Sequence, residues 1–150
     1  MIRAIYFDAV GTLIHPQPLA ATVYFDVGRR HGCRISLATC FRRFHKAFRK
    51  QDALDREQGW TTSEQRERAR WRDIVAEVLG DVRDPEACFA ELYEHFAKPA
   101  AWVCESGTEE LLENLRRQGY VLGVASNYDH RLRTVVAGLA PLQSIQRMVI

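Results

Sequence analysis

Hydrophobic residues follow two different spacings along this chain, and the change between them divides it into parts. Residues 5–7 are a short apolar run, Ile-Tyr-Phe, which predicts a strand buried on both faces of a parallel sheet. From about residue 19 to residue 98, apolar positions instead recur every three or four residues, which predicts helices. Apolar runs return at residues 120–125 and 147–150, which predict two further strands.

Four amphipathic helices account for the middle of the chain. The first is predicted over residues 20–30, and the second begins at an N-cap residue, Ser36. The third has the clearest apolar stripe: Trp71, Ile74, Val75, Val78 and Leu79. Its charged first half, residues 64–70, is expected to project into water. The fourth begins at Asp84-Pro85, an N-cap followed by a proline at the first helical position.

Helix and strand signals alternate after this helical segment. Ser106 and Glu109 form a capping-box pattern that predicts a helix beginning at Ser106, and a further helix is predicted over residues 131–137. The order is therefore strand, helical insert, helix, strand, helix, strand. This order predicts an α/β fold with a doubly wound parallel (Rossmann-like) sheet, into which a helical bundle is inserted.

The composition is that of an ordinary globular domain. In 150 residues, 47% are hydrophobic and 27% are charged, and the net charge of +2 is too small to indicate a nucleic-acid or membrane partner. No apolar run approaches the length of a membrane-spanning helix. The four cysteines show neither a Cys-x-x-Cys pair nor a metal-ligand spacing with histidine. We expect a reduced, cytoplasmic protein that binds neither nucleic acid nor membranes.

One helix face is basic enough to suggest an alternative. The second predicted helix carries Arg42, Arg43, Lys46, Arg49 and Lys50, and a basic amphipathic helix can bind nucleic acid or a membrane surface. Acidic neighbours at Asp52, Asp55 and Glu57 favour a solvated face instead. Nucleic-acid binding is therefore the weakest functional hypothesis.

A carboxylate follows the first predicted strand directly. Ligands of open α/β sheets bind beyond the carboxyl ends of the strands, so Asp8 is a candidate nucleophile or metal ligand. The alternative is that Asp8 only opens a turn with Gly11. Pro16 and Pro18 then predict an extended turn without regular structure, in which His15 is expected to be solvated.

Ser126 stands in the same relation to the strand at residues 120–125. Parallel strands end at one edge of a sheet, so Ser126 and Asp8 are expected to lie at the same edge. The Ser126 hydroxyl and the backbone N–H groups of Asn127 and Tyr128 could hold an anionic oxygen. Helix capping is the alternative role for these residues.

Taken together, these two segments resemble the haloacid dehalogenase (HAD) superfamily. Its first motif is an apolar strand ending in Asp-x-Asp-x-Thr, which Asp8 and Thr12 match, and its second is a strand ending in Ser or Thr, which Ser126 matches. The resemblance implies a hydrolase in which Asp8 is the nucleophile. It also implies that Mg²⁺ is held by Asp8 and the main-chain carbonyl of Val10, while Thr12, Ser126 and Asn127 position a phosphate ester. It assigns residues 1–17 and 100–150 to a Rossmann-like core and residues 18–99 to a helical cap.

The chain also departs from the family pattern. Val10 stands where phosphatase members carry a second Asp, the general acid and base; dehalogenases and phosphonate-cleaving members lack it. The family's third motif is a Lys and its fourth an acidic pair, but no Lys follows Lys98 and no Asp or Glu follows Asp129. The carboxy-terminal part of the core is thus expected to be absent, either because the chain is a piece of a longer hydrolase or because it has lost that half.

These departures set the functional expectations. As a 150-residue chain the protein is expected to hold Mg²⁺ weakly and to hydrolyse little or nothing. Two alternatives stay open: a non-catalytic binding or assembly module with this fold, and a carbon–halide hydrolase of the dehalogenase type. Because the strand that pairs beside the first strand in the family is missing, we also expect the first strand to be an open edge through which the chain self-associates.

Overall fold

A computed structural model describes residues 2–150 of the chain. Its regular elements in chain order are β1 (Ala4–Phe7), β2 (Ile14–Pro16), α1 (Ala20–Arg30), α2 (Leu37–Glu57), α3 (Glu64–Val78), α4 (Pro85–His95), β3 (Trp102–Cys104), α5 (Thr108–Arg117), β4 (Val121–Ala125), α6 (Arg131–Gly138) and β5 (Arg147–Val149). The chain forms two compact units. Residues up to Gln17 together with Phe96–Ile150 form the core unit, and Pro18–His95 form the helical unit.

A three-stranded parallel sheet organises the core unit. The strand order is β1-β4-β5, and the connections between these strands carry helices, so the α/β prediction is confirmed. In β4, Gly123 lies opposite Tyr6 of β1. A Cβ atom on Gly123 would lie 2.5 Å from a Tyr6 ring carbon, so only glycine leaves room for this ring on the sheet.

The first strand lies at an edge of this sheet, and the prediction that it is buried on both faces is wrong. Within residues 2–150, β1 pairs with β4 alone. Ala4 and Tyr6 are exposed, and Ile5 and Phe7 are half-buried. The apolar run correctly indicates a strand, but it does not report how many neighbours that strand has.

A second, two-stranded sheet was not predicted. β2 pairs antiparallel with β3, with Ile14 opposite Cys104 and Pro16 opposite Trp102. The expectation that residues 14–18 lack regular structure is therefore wrong for 14–16. Pro16 is tolerated because it ends its strand, and in a two-stranded sheet each strand has a free edge that needs no N–H donor.

The start of α5 corrects another prediction. Its N-cap residue is Gly107 at φ +80°, and no side chain caps this helix, so the capping box at Ser106 and Glu109 is wrong. The chain enters α5 through a tight turn in which the Thr108 N–H donates to the Glu105 carbonyl at 3.1 Å. A positive φ in that turn favours glycine, which shifts the helix start by one residue.

The helical unit consists of α1, α2, α3 and α4, which occupy the segment predicted to be a helical bundle. The predicted N-caps are confirmed here: Ser36 Oγ accepts the Thr39 N–H at 3.2 Å, and the Asp84 carboxylate accepts the Ala87 N–H at 3.0 Å. The domain boundaries given above for core and cap stay a prediction. No helix within residues 2–150 is long and apolar enough to cross a membrane.

The first half of α3 projects into water only in part: Glu64, Gln65 and Arg68 are exposed, but two of its charged residues are buried. Glu67 and Arg70 are both 4% exposed. Arg70 lies between α3 and α2, where it pairs with Asp52 at 2.5 Å and Asp55 at 3.5 Å. Arg70 can be buried here because two carboxylates of α2 lie next to its guanidinium group.

Two of the five basic residues on this face of α2 make contacts with other parts of the helical unit. Lys50 pairs with Glu77 at 2.9 Å, and Arg43 donates to the Val78 carbonyl at 3.1 Å. Arg43 also lies 3.8 Å from Asp81. Arg42, Lys46 and Arg49 are exposed, which fits the predicted solvated face.

An ion-pair cluster between α1 and α4 is expected to make the stability of the protein depend on pH. Arg30 and His31 hydrogen-bond to Glu91 and hold the pKa of this carboxyl below its ordinary value of 4.5. Because the pKa of Glu91 is lower in the folded state, its ionised carboxylate stabilises the fold. This stabilisation is complete above pH 4.5 and is lost as the pH falls through the pKa of the folded state. We expect Glu91→Gln to lower the free energy of unfolding at neutral pH. The difference between variant and parent should shrink as the pH is lowered.

Urea unfolding of both proteins across the acid range measures this difference. Glu94→Gln, an exposed neighbour on the same helix, is the control and should have little effect at any pH. A destabilisation by Glu91→Gln that stays constant with pH would show that the carboxyl acts through packing and not through its charge.

Candidate active site

Asp8 follows β1 directly and is exposed at the carboxyl end of the sheet. The segment after it folds back on itself: the N–H groups of Leu13 and Ile14 donate to the Ala9 carbonyl at 2.8 and 3.0 Å. Gly11 takes a φ of +86°, which this tight turn requires. Because Ala9, Leu13 and Ile14 are buried, the turn is anchored while Asp8 stays accessible.

Thr12 is brought onto the carboxylate by this turn. Its Oγ1 donates a hydrogen bond to Asp8 Oδ2 at 3.0 Å. One carboxylate oxygen is thereby oriented, and the other is left for chemistry. The structure thus brings together the two residues that the first motif singles out.

Val10 lies within the same turn, two residues after Asp8. Its side chain is exposed and apolar and can neither donate nor accept a proton. Its main-chain carbonyl is an oxygen donor of the kind that Mg²⁺ prefers, as is the Asp8 carboxylate. This donor set fits Mg²⁺ in type. Among residues 2–150, however, no set of three His, Cys, Asp or Glu side chains that includes Asp8 converges closely enough to hold a metal.

Ser126 reaches the same edge of the sheet through the parallel register. Phe7 of β1 pairs with Val124 of β4, so Asp8 lies opposite Ala125, the residue before Ser126. The Ser126 N–H donates to the Val149 carbonyl at 3.0 Å, which ties it to β5. Its Oγ accepts the Tyr128 N–H at 3.2 Å, and Asn127 is exposed between them.

A buried cluster of Tyr128, Asp129 and Arg131 holds the loop after β4, and sequence reasoning missed it. The Arg131 Nε–H donates to Asp129 Oδ1 at 2.7 Å, and both side chains are almost fully buried. The Arg131 guanidinium lies 4.8 Å from the centre of the Tyr128 ring. The cluster is adjacent to Ser126 and Asn127 and limits how this loop can move. Its sequence signal is an Asp-x-Arg step at the start of α6.

Aromatic packing secures the other side of the Tyr128 ring. The ring meets Trp102 edge to face at a centroid distance of 5.8 Å, and its hydroxyl donates to the Phe96 carbonyl at 3.3 Å. Trp102 Nε1–H donates to the same carbonyl at 3.0 Å. The unpredicted strand β3 therefore contributes, through Trp102, to holding the loop that follows Ser126.

His15 is not merely solvated as predicted. It lies on β2, and its Nδ1 is 2.7 Å from Glu105 Oε1 just beyond β3. Both side chains remain partly exposed. The pair joins the two strands of the small sheet, and β2 begins directly after the turn that carries Thr12.

Asp8 receives its side-chain hydrogen bond from a neutral group. Within residues 2–150, no Lys or Arg side chain forms an ion pair with Asp8, and its side-chain hydrogen bond comes from the neutral Thr12 hydroxyl. Cys104 is no rival nucleophile, because burial raises the pKa of its thiol.

Comparisons with known proteins agree on one family. The family model described as haloacid dehalogenase-like hydrolase matches residues 2–144. The "haloacid dehalogenase-like hydrolase domain-containing protein 3" of Mus musculus is 31% identical over 149 residues, covering 92% of this chain. The chain spans 57% of the length of that relative.

Solved structures show the same fold. The L-2-haloacid dehalogenase of Xanthobacter autotrophicus, with chloropropionic acid covalently bound, matches 99% of this chain and 56% of its own at a TM-score of 0.66 and 19% identity. A predicted phosphoglycolate phosphatase of Haemophilus somnus matches 99% of this chain and 62% of its own at a TM-score of 0.56 and 17% identity. The predicted Rossmann-like α/β fold class is confirmed by these likenesses.

Proposed function

The chain belongs to the haloacid dehalogenase-like hydrolase family. From this premise we propose that it acts on phosphate esters with Asp8 as the nucleophile, and that the 150-residue chain does so slowly. The resemblance inferred from the two sequence motifs is thereby confirmed at the level of the family. The observation that supports Asp8 as the nucleophile is its hydrogen bond of 3.0 Å with Thr12, at the accessible end of β1. It orients a carboxylate at the sheet edge where ligands of open α/β folds bind.

The proposed reaction has two steps. The free oxygen of Asp8 attacks the phosphorus atom, the bond from phosphorus to the ester oxygen breaks, and an aspartyl phosphate forms. Water then attacks the phosphorus and releases inorganic phosphate and the carboxylate. Thr12 orients the nucleophile, while the Ser126 hydroxyl and Asn127 bind phosphate oxygens. Since Val10 cannot supply a proton, the leaving oxygen must take one from solvent, and good leaving groups are favoured.

Mg²⁺ is the proposed cofactor. It would be held by the Asp8 carboxylate and the Val10 main-chain carbonyl, and it would supply positive charge to a bound phosphate. With one carboxylate in the donor set, the affinity of the 150-residue chain should be low, because Mg²⁺ sites in proteins rest on carboxylates and retained waters. Calorimetry should therefore detect weak binding that Asp8→Asn removes. Submicromolar affinity would contradict this prediction.

Carbon–halide hydrolysis is the second candidate, and Val10 is the observation that favours it. A halide leaves without a proton, so a site without an acid at position 10 suits such a substrate. The Xanthobacter autotrophicus neighbour carries covalently bound chloropropionic acid. We rank this below phosphate ester hydrolysis because Ser126 and Asn127 offer several donors for phosphate oxygens.

Parallel assays separate these proposals. Phosphate release from an aryl phosphate and chloride release from 2-chloropropionate are measured with the chain and with Asp8→Asn. We expect slow phosphate release that depends on Asp8. Chloride release alone would favour the second candidate. Equal background rates from both proteins, with normal folding, would favour a non-catalytic binding module.

The open edge of β1 leads to a proposal about assembly. No residue of β1 is charged, and Tyr6 is 47% exposed. Natural edge strands are normally protected by charge, proline or a covering element, and an unprotected one pairs with another chain. We propose that a second copy pairs along β1, so that light scattering of the 150-residue chain gives more than the monomer mass.

Ala4→Pro tests this assembly without breaking the sheet. The Val121 N–H donates to the Arg3 carbonyl at 3.0 Å, so Arg3 faces β4 and the next residue faces away from it. Proline at position 4 should thus block pairing at the free edge and leave β4 in place. Ala4→Val, which keeps the N–H, is the control and should still associate. A monomeric parent chain with β1 amides protected from hydrogen exchange would refute the proposal.

A further inference from the structure

A cleft in the helical unit is lined by none of the residues proposed above for the hydrolase reaction. It has a volume of about 400 Å³ and is formed where α1 ends and where the chain leaves α3. Its walls combine cationic and apolar side chains: Arg29, Arg34, Arg83, Phe25, Ile35 and Cys33. The volume lies within the range of small-molecule sites. All of these residues belong to the helical unit, and neither Asp8 nor Ser126 takes part.

Positive charge in this cleft is compensated only in part, by the Asp81 carboxylate, which accepts a hydrogen bond from Cys33 of the cleft wall at 3.2 Å. Across the described residues 2–150, none of Arg29, Arg34 and Arg83 forms an ion pair with a carboxylate. Neighbouring cations do find such partners, since Arg30 pairs with Glu91 and Arg43 lies 3.8 Å from Asp81. Three guanidinium groups around one concave surface repel one another and attract an anion into the space between them.

Two of these exposed arginine side chains lie against other parts of the cleft wall. The Arg83 side chain lies across Gly32, where a Cβ atom would be 3.0 Å from Arg83 Nε, and the Arg83 N–H donates to the His31 carbonyl at 3.0 Å. Gly32 itself takes a φ of +92°. The Arg29 guanidinium lies 5.7 Å from the centre of the Phe25 ring.

The chemistry of the walls identifies a class of ligand. Guanidinium groups bind phosphate through paired N–H donors, and an apolar wall formed by Phe25 and Ile35 accommodates a non-polar body beside it. We propose that this cleft is a second anion site, which binds a small organic phosphate with its phosphoryl group among the three arginines and its apolar part on Phe25. This inference does not depend on the hydrolase reaction proposed for Asp8.

NMR titration of the 150-residue chain with phenyl phosphate, and separately with inorganic phosphate, tests the proposal. Both ligands should shift the backbone amides of Gly32, Cys33 and Arg34 in a saturable manner. Phenyl phosphate should bind more tightly, because inorganic phosphate cannot use the apolar wall. The titrations are repeated with Asp8→Asn, which should leave these shifts unchanged and so separates the cleft from the Asp8 site.

Charge variants provide the decisive comparison. The double variant Arg34→Gln/Arg83→Gln should weaken phenyl phosphate binding at least about tenfold, because two charge-assisted contacts are lost. Arg56→Gln removes the same kind of charge from an exposed position of α2 and should change the affinity little. Arg83→Lys keeps the charge but loses the planar fork, and a clear weakening is expected even from this mild change.

Three results would overturn the proposal. The first is phenyl phosphate shifts confined to the amides around Asp8 and Ser126. The second is an affinity that Arg83→Lys and the double variant leave unchanged. The third is an equal loss in Arg56→Gln, which would mean that diffuse positive charge, and not this cleft, attracts the ligand.

Discussion

Replacing Val10 with Asp is expected to raise the rate of aryl phosphate hydrolysis by at least about tenfold, since a positioned general acid typically contributes 10²–10⁴. Val10 is exposed in the turn that also orients Asp8 through Thr12, so a carboxyl group at position 10 would stand beside the reacting phosphate. The comparison is best made in this chain extended by the remaining segment of a family hydrolase. The 150-residue chain itself is expected to turn over too slowly.

Val10→Asn is the matched control for this gain. It introduces a polar side chain of the same shape as Asp that cannot donate a carboxyl proton, and it should leave the rate near that of the parent. The gain from Asp should also be larger for alkyl than for aryl phosphates, because poorer leaving groups need the proton more. An unchanged rate for Val10→Asp, with Asp8 shown to be essential, would mean that the phosphatase mechanism is the wrong template.

Replacing Arg70 with Met is expected to lower the free energy of unfolding by about 3–5 kcal/mol, the cost of removing one partner from a buried ion pair. Arg70 is 4% exposed and is shared by Asp52, Asp55 and Glu67, at 2.5, 3.5 and 3.8 Å. Its guanidinium also lies 4.9 Å from the centre of the Phe48 ring. Methionine keeps much of the side-chain volume, so the loss would report on the charge.

An exposed ion pair that involves another arginine of α3 provides the comparison. Arg72 contacts Glu86 at 2.9 Å, but both side chains are largely in water. Arg72→Met should cost no more than about 1 kcal/mol, as exposed ion pairs do. Urea unfolding of both variants gives the two values. A loss for Arg70→Met as small as that for Arg72→Met would show that the buried cluster stabilises the helical unit little.

The long helices could be predicted from the sequence because their signals are local. Helix α1 has the predicted bounds, and α2 begins after the predicted cap Ser36. The pairing of β2 with β3 could not be predicted in the same way. Each strand has three residues, too few for a period, and their partners are far apart in the chain. The start of α5 was predicted wrongly for another reason. Serine is a common N-cap residue, so Ser106 was expected there, but the turn needs a positive φ at the N-cap and glycine, Gly107, occupies it.

Burial of charge was the other limit of sequence reasoning. Arg70 and Glu67 follow a pattern that is typical of a solvated helix face, and only the opposing charges of α2 make their burial possible. Arg131 was overlooked in the same way, although it holds Asp129 beside the Ser126 loop. Ion pairs between different helices cannot be predicted from the residue pattern of one helix alone.

The candidate site was more accessible to sequence reasoning than the packing around it. The Asp8 and Thr12 motif predicts a contact four residues apart, and the structure shows it as a hydrogen bond. The position of Ser126 followed from the shared edge of parallel strands, and the register of β1 with β4 places it there. The roles of Asp8, Val10, Thr12, Ser126 and Asn127 in chemistry remain proposals.

Covalent labelling tests the role of Asp8 most directly. The chain and its Asp8→Asn variant are incubated with an aryl phosphate or acetyl phosphate, quenched in acid, and analysed by intact mass and peptide mapping. The account predicts one phosphoryl group on the peptide that contains Asp8, and none on the variant. A phosphoryl group on another residue, or equal labelling of Asp8→Asn, would contradict it.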